Sequence, residues 1–490
     1  MRSPLTPKTM SLIQSLPRVC VILFLVIASL ANPVRSAPSP AFVAGDRWVA
    51  IGDSITQDMP YTRYVDLFQV IRRPDIPVTF VNAGVSGDSA VGALRRLDWD
   101  ILPLSGPSPT VSTIMLGMND CGRELYAANA PDDAAGQKKR RDRLDTYATA
   151  MRTLVERLSA RGVRVILLTP SPYDDTSAMA NPNLPGVNTA LAACAEIGRA
   201  LASERNLALI DLHGPLTALN QRRQKDAPEF TMISGDRVHP GAPGSFAMAY
   251  QILRAQHAAG PFVRVHLNAA TAQIRSARGA TVSDLAANTS GGLSFDYLAD
   301  SLPVVVPENA QEALGWVPFS EEFNREELRV GGLQAGDYTL TIDGKFVGTF
   351  SADALGLGID LAALSTPQKR QAKTVLELME TRWNSINKLR RIASIEYWQL
   401  PDAARPLALD QMEAKLAAWE QELSATPTHW QRKHPGQYRE WKPLEKQIWE
   451  ATDTQLAAAR AAARPILRTL TLRRVAATDT AAQPSLSATE

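Results

Sequence analysis

The sequence predicts an α/β protein built on a parallel sheet sandwiched between helices, followed by a small β-rich module and a helical C-terminal region. Three observations carry this reading. Between residues 40 and 258, short and almost wholly apolar β-type runs alternate with longer stretches of helical character. Past Pro261 the texture changes to alternating segments joined by turn residues. From Thr366 onward, apolar side chains recur at three- and four-residue spacing.

The apolar runs are Trp48 to Ile51, Val78 to Val81, Val111 to Leu116, Val163 to Leu168 and Leu207 to Ile210. They are too apolar for half-exposed strands, and the stretches between them leave room for crossover helices. One such helix is marked over Lys138 to Arg161, with Tyr147, Met151, Leu154 and Leu158 on one side and charge on the other; Gly162 ends it. In the second region, Tyr338 to Ile342 and Phe346 to Phe350 flank Asp343-Gly344, a strong hairpin signal. Thr366-Pro367 reads as a helix cap and first turn. Leu376, Met379, Trp383, Ile386, Leu389 and Ile392 follow at helical spacing, and Leu409, Met412, Leu416, Trp419 and Leu423 repeat it. Six of the nine tryptophans (383, 398, 419, 430, 441 and 449) lie there, which favours a tryptophan-pinned helical core over an aromatic carbohydrate platform. The expected organisation is therefore a leader over 1–36, the α/β domain over 40–258, the β-rich module over 262–362, a helical region over 366–475 and a disordered tail over 476–490.

Composition bounds the function. A chain of 490 residues is long enough for about three domains. With 45% hydrophobic and 21% charged residues it is neither disordered nor fibrous. The formal charge is +2, but the first 36 residues hold four basic groups and no acid; without them 48 bases face 50 acids. That balance excludes a nucleic-acid binder and a protein held to membranes by charge. The basic start, the 13-residue apolar run Val19 to Ala31 and the small residues after it resemble a secretory signal peptide. The run is shorter than the ~20 residues that span a bilayer. Export to the periplasm or the outside is the expectation, with no stable membrane association after cleavage.

Outside that leader only Cys121 and Cys194 remain, free to pair or not. Two cysteines cannot make a cysteine zinc site, and the six histidines show no HExxH or paired spacing. No metal and no cofactor are expected, so the chemistry should be organic.

The candidate chemistry follows the strands. Gly52-Asp53-Ser54 stands directly after the first run, Val81-Asn82-Ala83-Gly84 ends the second and Gly117-Met118-Asn119-Asp120 follows the third. After the fifth comes Ser234-Gly-Asp236-Arg-Val-His239-Pro240. In an open parallel sheet all four blocks lie at one carboxyl edge, where such sheets place reactive groups. A serine hydroxyl needs a base within hydrogen-bond reach, histidine is the side chain that titrates near neutrality, and a carboxylate three residues earlier can fold back to fix its tautomer. Isolated, the Gly-Asp-Ser tripeptide could simply cap a helix and Asp236-x-x-His239 could be a surface turn.

At these four blocks, over roughly residues 45–255, the chain resembles the GDSL esterase/lipase family, also called SGNH hydrolases. The resemblance implies a flavodoxin-like three-layer α/β/α domain and a carboxylic ester hydrolase. It implies Ser54 as nucleophile, His239 as general base and Asp236 as the group orienting it. The Ser54 amide, the Gly84 amide and the Asn119 side chain are implied as the oxyanion hole. Ile55 stands where the family name has leucine, a mild departure. Asp120 is expected to brace its turn, Cys121 to be structural, and His213, beside Asp211, is the competing base.

The mostly polar loops Gln57 to Tyr64 and Pro172 to Pro185, without a long apolar lid near Ser54, disfavour a long-chain lipase. The expected activity is hydrolysis of short-chain, chiefly acetyl, esters of carbohydrates through an acyl-serine; Thr169-Pro-Ser-Pro172 resembles strand ends of exported polysaccharide deacetylases. The alternatives are a broad arylesterase or short-chain lipase, and a binding protein using the hydrolase fold as scaffold for its C-terminal 230 residues. The expected partner is a small-molecule or polysaccharide ester.

Overall fold

The computed structural model describes residues 38–476, except 59, 104–109, 401–408 and 427. The leader and nearly all of the 476–490 tail lie outside the described residues. Strands β1 (Arg47–Gly52), β2 (Thr79–Gly84), β3 (Val111–Met115), β4 (Arg164–Leu168) and β5 (Ala208–Ile210) form a parallel sheet in the order β2-β1-β3-β4-β5. This is the flavodoxin-like order, with crossover helices such as Ala134–Ala160 and Val187–Arg205 between the strands. The register aligns Gly52 with both Gly84 and Met115, so the segments after β1, β2 and β3 leave the sheet at one level. The three-layer α/β/α domain read from the sequence is the fold observed.

Residues 262–364, joined by one strand from 468–474, build two small sheets over one apolar core. The first has the order β13-β10-β6-β7, from β6 (Val263–Asn268), β7 (Gln273–Arg278), β10 (Glu326–Gly331) and β13 (Ile359–Asp360). The second has the order β12-β11-β14-β9-β8, from β8 (Ala280–Ala287), β9 (Leu293–Ala299), β11 (Asp337–Ile342), β12 (Lys345–Ser351) and β14 (Arg468–Arg474). The Asp343-Gly344 hairpin has φ of 52° and 73° at its two central residues, the left-handed pair that a tight primed turn requires.

One expectation gives way here. Helical character was expected to residue 475, but the last helix is Glu445–Ala462, and Arg468–Arg474 is a strand inserted between β9 and β11. Leu470 and Leu472 are fully buried in the β core, on one face of the Thr469-Leu-Thr-Leu472 alternation. That alternation was the available signal, and its partners lie more than a hundred residues away.

The helices after Thr366 close the edge of the parallel sheet. Thr366 caps Pro367–Gln399 by accepting from the Lys369 amide at 3.1 Å. Its apolar face (Val375, Met379, Trp383, Ile386) joins the core of the parallel sheet. β2 is an edge strand paired only to β1, so its outer carbonyls lack ladder partners. Three arginines of the C-terminal helices supply them: Arg460 donates to the carbonyl of Val78 at 2.6 Å, Arg382 to Phe80 at 2.8 Å and Arg390 to Asn82 at 3.3 Å. Buried Asp66 takes Arg382 at 2.8 Å and the Trp383 indole at 2.9 Å. The C-terminal region thus replaces the missing neighbour strand. Trp383 and Trp419 are core residues, as expected, whereas Trp398 and Trp430 are exposed.

Candidate active site

Ser54 follows β1 through a tight corner. Asp53 caps the short helix Ser54–Gln57, its carboxylate accepting from the Ile55 amide at 3.0 Å. A Cβ at Gly52 would sit 2.1 Å from Thr56 Oγ1, so only glycine lets the helix fold back this closely. The Ser54 amide lies in the first turn, where the helix itself offers no acceptor.

Ser54 Oγ lies 2.7 Å from His239 Nε2, and His239 Nδ1 lies 2.5 Å from Asp236 Oδ2. The other carboxylate oxygen builds the turn, accepting from the His239 amide at 2.9 Å, the Val238 amide at 2.9 Å and the Ser234 hydroxyl at 2.8 Å. Burial would raise the Asp236 carboxyl, but these hydrogen bonds outweigh it and hold the group well below the ordinary carboxylate value. An ionised acceptor at Nδ1 keeps the ring proton there and turns the Nε2 lone pair toward Ser54. The side chains of His239 and Asp236 are 43% and 48% exposed, so the pair is reachable from solvent.

Arg237, between the two, escaped the sequence reading. It has φ of 64°, and its buried guanidinium donates to the carbonyls of Asp174, Ser177, Met179, Asn181 and Pro182. It ties the Asp236–His239 turn to the 174–182 loop. An arginine inside an Asp-x-x-His spacing carries no signal of this, because its acceptors are backbone groups.

The second side of the site is less as expected. Gly84 does sit beside the Ser54 helix, and a Cβ there would meet the Gln57 backbone nitrogen at 2.2 Å. Its amide, however, already donates to Asn82 Oδ1 at 2.8 Å. From Gly84 to Ala90 the amides of residues 84, 85, 86, 88, 89 and 90 all have protein acceptors; among the described residues the Gly87 amide has none. Gly87 has φ of +78°, a conformation that favours glycine. Asn119 lies against the same turn, one amide hydrogen donated to the Asp88 carbonyl at 2.9 Å and its oxygen accepting from Arg123 at 3.2 Å. The structure therefore brings Ser54, Asp236 and His239 together, sets Asn119 at the neighbouring turn, and gives Gly84 a packing role with its amide engaged. The sequence signal for this arrangement is the Val85-Ser-Gly87 turn just beyond β2.

That turn is locked from below. Asp88 takes Arg96 at 2.7 Å, Arg96 also takes Asp100 at 2.7 Å, and Arg390 of the Pro367–Gln399 helix takes Asp100 at 2.7 Å, all buried. The Tyr397 hydroxyl donates to Asp88 at 3.1 Å and the Trp398 indole to the Ser86 carbonyl at 3.0 Å.

The remaining candidates fall into structural places. His213 Nε2 is 3.0 Å from Asn188 Oδ1, while Asp211 pairs with Arg199 at 2.8 Å; neither is bonded to Ser54. Asp120 accepts from the Ala90 amide at 2.8 Å, bracing the helix after the 84–89 turn, and burial pushes its carboxyl up to about 7. Cys121 and Cys194 are free and buried, and burial raises the Cys121 thiol to about 12, which leaves no thiolate at neutral pH. Among the described residues no cluster of three or more histidine, cysteine or acidic side chains could hold a metal, and no helix is long and apolar enough to cross a membrane.

Comparison with known proteins places this geometry. Residues 50–245, under half of the chain, match the GDSL-like lipase/acylhydrolase family. A gut microbial diltiazem-metabolizing enzyme of known structure is 29% identical, with a TM-score of 0.79 over 90% of this chain and 99% of that one. An acetylxylan esterase from Geobacillus stearothermophilus is 23% identical over 44% of this chain and 94% of its own, with a TM-score of 0.35. A second acetyl xylan esterase is 22% identical over 42% and 98%, with a TM-score of 0.33. No curated protein matches. Residues 50–245 are thus similar to the GDSL-like lipase/acylhydrolase family, and the chain is a carboxylic ester hydrolase.

Proposed function

We propose that the chain is a serine esterase that cleaves short-chain, chiefly acetyl, esters of carbohydrates through an acyl-Ser54 intermediate. The observation that supports it most directly is the unbroken line from Asp236 through His239 to Ser54, at 2.5 and 2.7 Å. In this reading Ser54 Oγ attacks the ester carbonyl carbon while its proton passes to His239 Nε2. The carbonyl oxygen becomes an oxyanion, held by the Ser54 amide, the unpartnered Gly87 amide and the remaining Asn119 amide hydrogen. On collapse the bond to the alcohol oxygen breaks and His239 returns the proton to it. Water, activated by the same histidine, then releases the acid. Asp236 stays ionised and holds the imidazole in the tautomer that can accept.

The short acyl group and the carbohydrate alcohol rest on the polar loops beside Ser54 and the absence there of a long apolar stretch in the sequence. Export rests on the basic-apolar-small pattern of residues 1–36. The test is Ser54→Ala. Turnover of 4-nitrophenyl acetate should fall roughly 10⁴-fold or more, and an organophosphate should label the parent at Ser54 and miss the variant. Labelling at another residue, or a variant that retains turnover, would overturn the assignment. Acetate release from acetylated polysaccharides separates the carbohydrate esterase from a general arylesterase.

A further inference from the structure

Beside the Ser86-Gly87 turn lies a cavity of about 350 Å³ whose far wall comes from the C-terminal helices: Trp398, Trp419, Trp430 and His434. The rings form a set. Trp430 meets His434 edge-on at 5.1 Å between centroids, and Trp419 meets it at 5.9 Å. Trp398 is fixed twice, by its indole hydrogen bond to the Ser86 carbonyl and by a T-shaped contact with Tyr397 at 4.9 Å. Among the described residues no charged side chain lines the cavity. Burial, with Arg391 and His429 near, lowers His434 to about 4, so it is neutral at pH 7.

Two features separate this cavity from a packing defect. Trp419 is 8% exposed, but Trp398 and Trp430 are 48% and 61% exposed, an unusual amount of indole to leave in water. The cavity also adjoins the turn next to Ser54: Ser86 and Gly87 line it, the Ser86 amide donates to Gln57 Oε1 of the Ser54 helix at 2.8 Å, and the Gly87 amide has no acceptor among the described residues. Rigid, uncharged, partly wet indole faces suit a flat uncharged ring, which covers them without desolvating an ion.

We infer that this cavity is a substrate subsite that takes an uncharged six-membered ring of the ester, stacked on Trp398 and Trp430. The inference rests on the esterase reading above; since the acyl group of that reading is acetyl, the ring belongs to the alcohol. A pyranose and an aryl ring present the same flat apolar face, and the experiment separates them.

The test compares kcat/KM of the full chain and of Trp430→Ala on three acetates: 2-naphthyl acetate, an acetylated xylo-oligosaccharide and ringless ethyl acetate. Trp430 is chosen because it has no hydrogen bond to the Ser86-Gly87 turn. The ratio of ring-bearing to ringless kcat/KM should fall roughly tenfold in the variant, through a higher KM, and Trp430→Phe should restore most of it. A fall on the aryl arm alone assigns the subsite to an aryl alcohol; a fall on the oligosaccharide arm assigns it to a sugar. Unchanged ratios on both arms, with all three acetates turned over by the parent, overturn the subsite and leave the esterase standing. A parent that turns over none of the three overturns the esterase reading instead.

Discussion

The turn carrying Asp236 and His239 spans four residues; those two side chains stand about half exposed, and buried Arg237 anchors the turn to the backbone of the 174–182 loop. The turn carrying Gly87, with Asn119 against it, rests on a buried network of two aspartates and two arginines, tied to residues 309 and 312 positions further along the chain. Both turns flank the same serine. Under the proposed roles of base and oxyanion donors, the difference follows from what each must do. A base must be reachable and must move a proton, so it tolerates solvent. Donors to a developing oxyanion act only if their dipoles are fixed before the charge arrives, and a buried, fully paired scaffold fixes them. The contrast also explains why a C-terminal region outside the 50–245 family match lies against the catalytic edge: its helices satisfy the outer carbonyls of β2 and lock the turn that follows it.

The largest effect that would break this contrast is on the exposed side. Asp236→Asn should lower kcat/KM about 10⁴-fold with little change in Tm, since an amide oxygen can still accept the turn's amides. A large loss of Tm with modest loss of rate would make Asp236 a structural residue. On the buried side the order of effects should reverse. Arg390→Leu leaves two buried aspartates facing Arg96 alone and should cost roughly 3–5 kcal/mol of stability, read by urea unfolding. Adding Asp100→Leu restores the charge balance and should recover part of it. A single variant that unfolds like the parent would show that the network does not hold this turn. The smallest of the three is Asn119→Ala, expected to lower kcat about 10²–10³-fold with KM nearly unchanged, because its contact strengthens in the transition state. A raised KM at normal kcat would make Asn119 a ground-state binding residue.

What could be read from the sequence is what neighbours along the chain decide. The five apolar runs appeared as strands because burial on both faces leaves no room for polar residues. Asp236 and His239 stood out because three residues suffice to close their turn. Thr366-Pro367 and Asp343-Gly344 declared a helix start and a hairpin through backbone preferences that act within four residues.

Tertiary structure decided the rest. Whether an amide is free depends on every acceptor around it: Gly84 and Gly87 look alike in sequence, yet the Asn82 side chain consumes the first and nothing among the described residues consumes the second. Arg382, Arg390 and Arg460 read as ordinary helical cations until β2 sets their acceptors before them. Residues 468–474 belong to a sheet whose other strands lie far upstream, so their alternation gains meaning only when β9 and β11 stand on either side. Trp383 and Trp398 share a helix, but one is buried against the sheet and the other opens on the cavity beside Gly87. Periodicity states which face a helix can bury; only the packed chain states where that face ends, and the exposed indoles lie just past that limit.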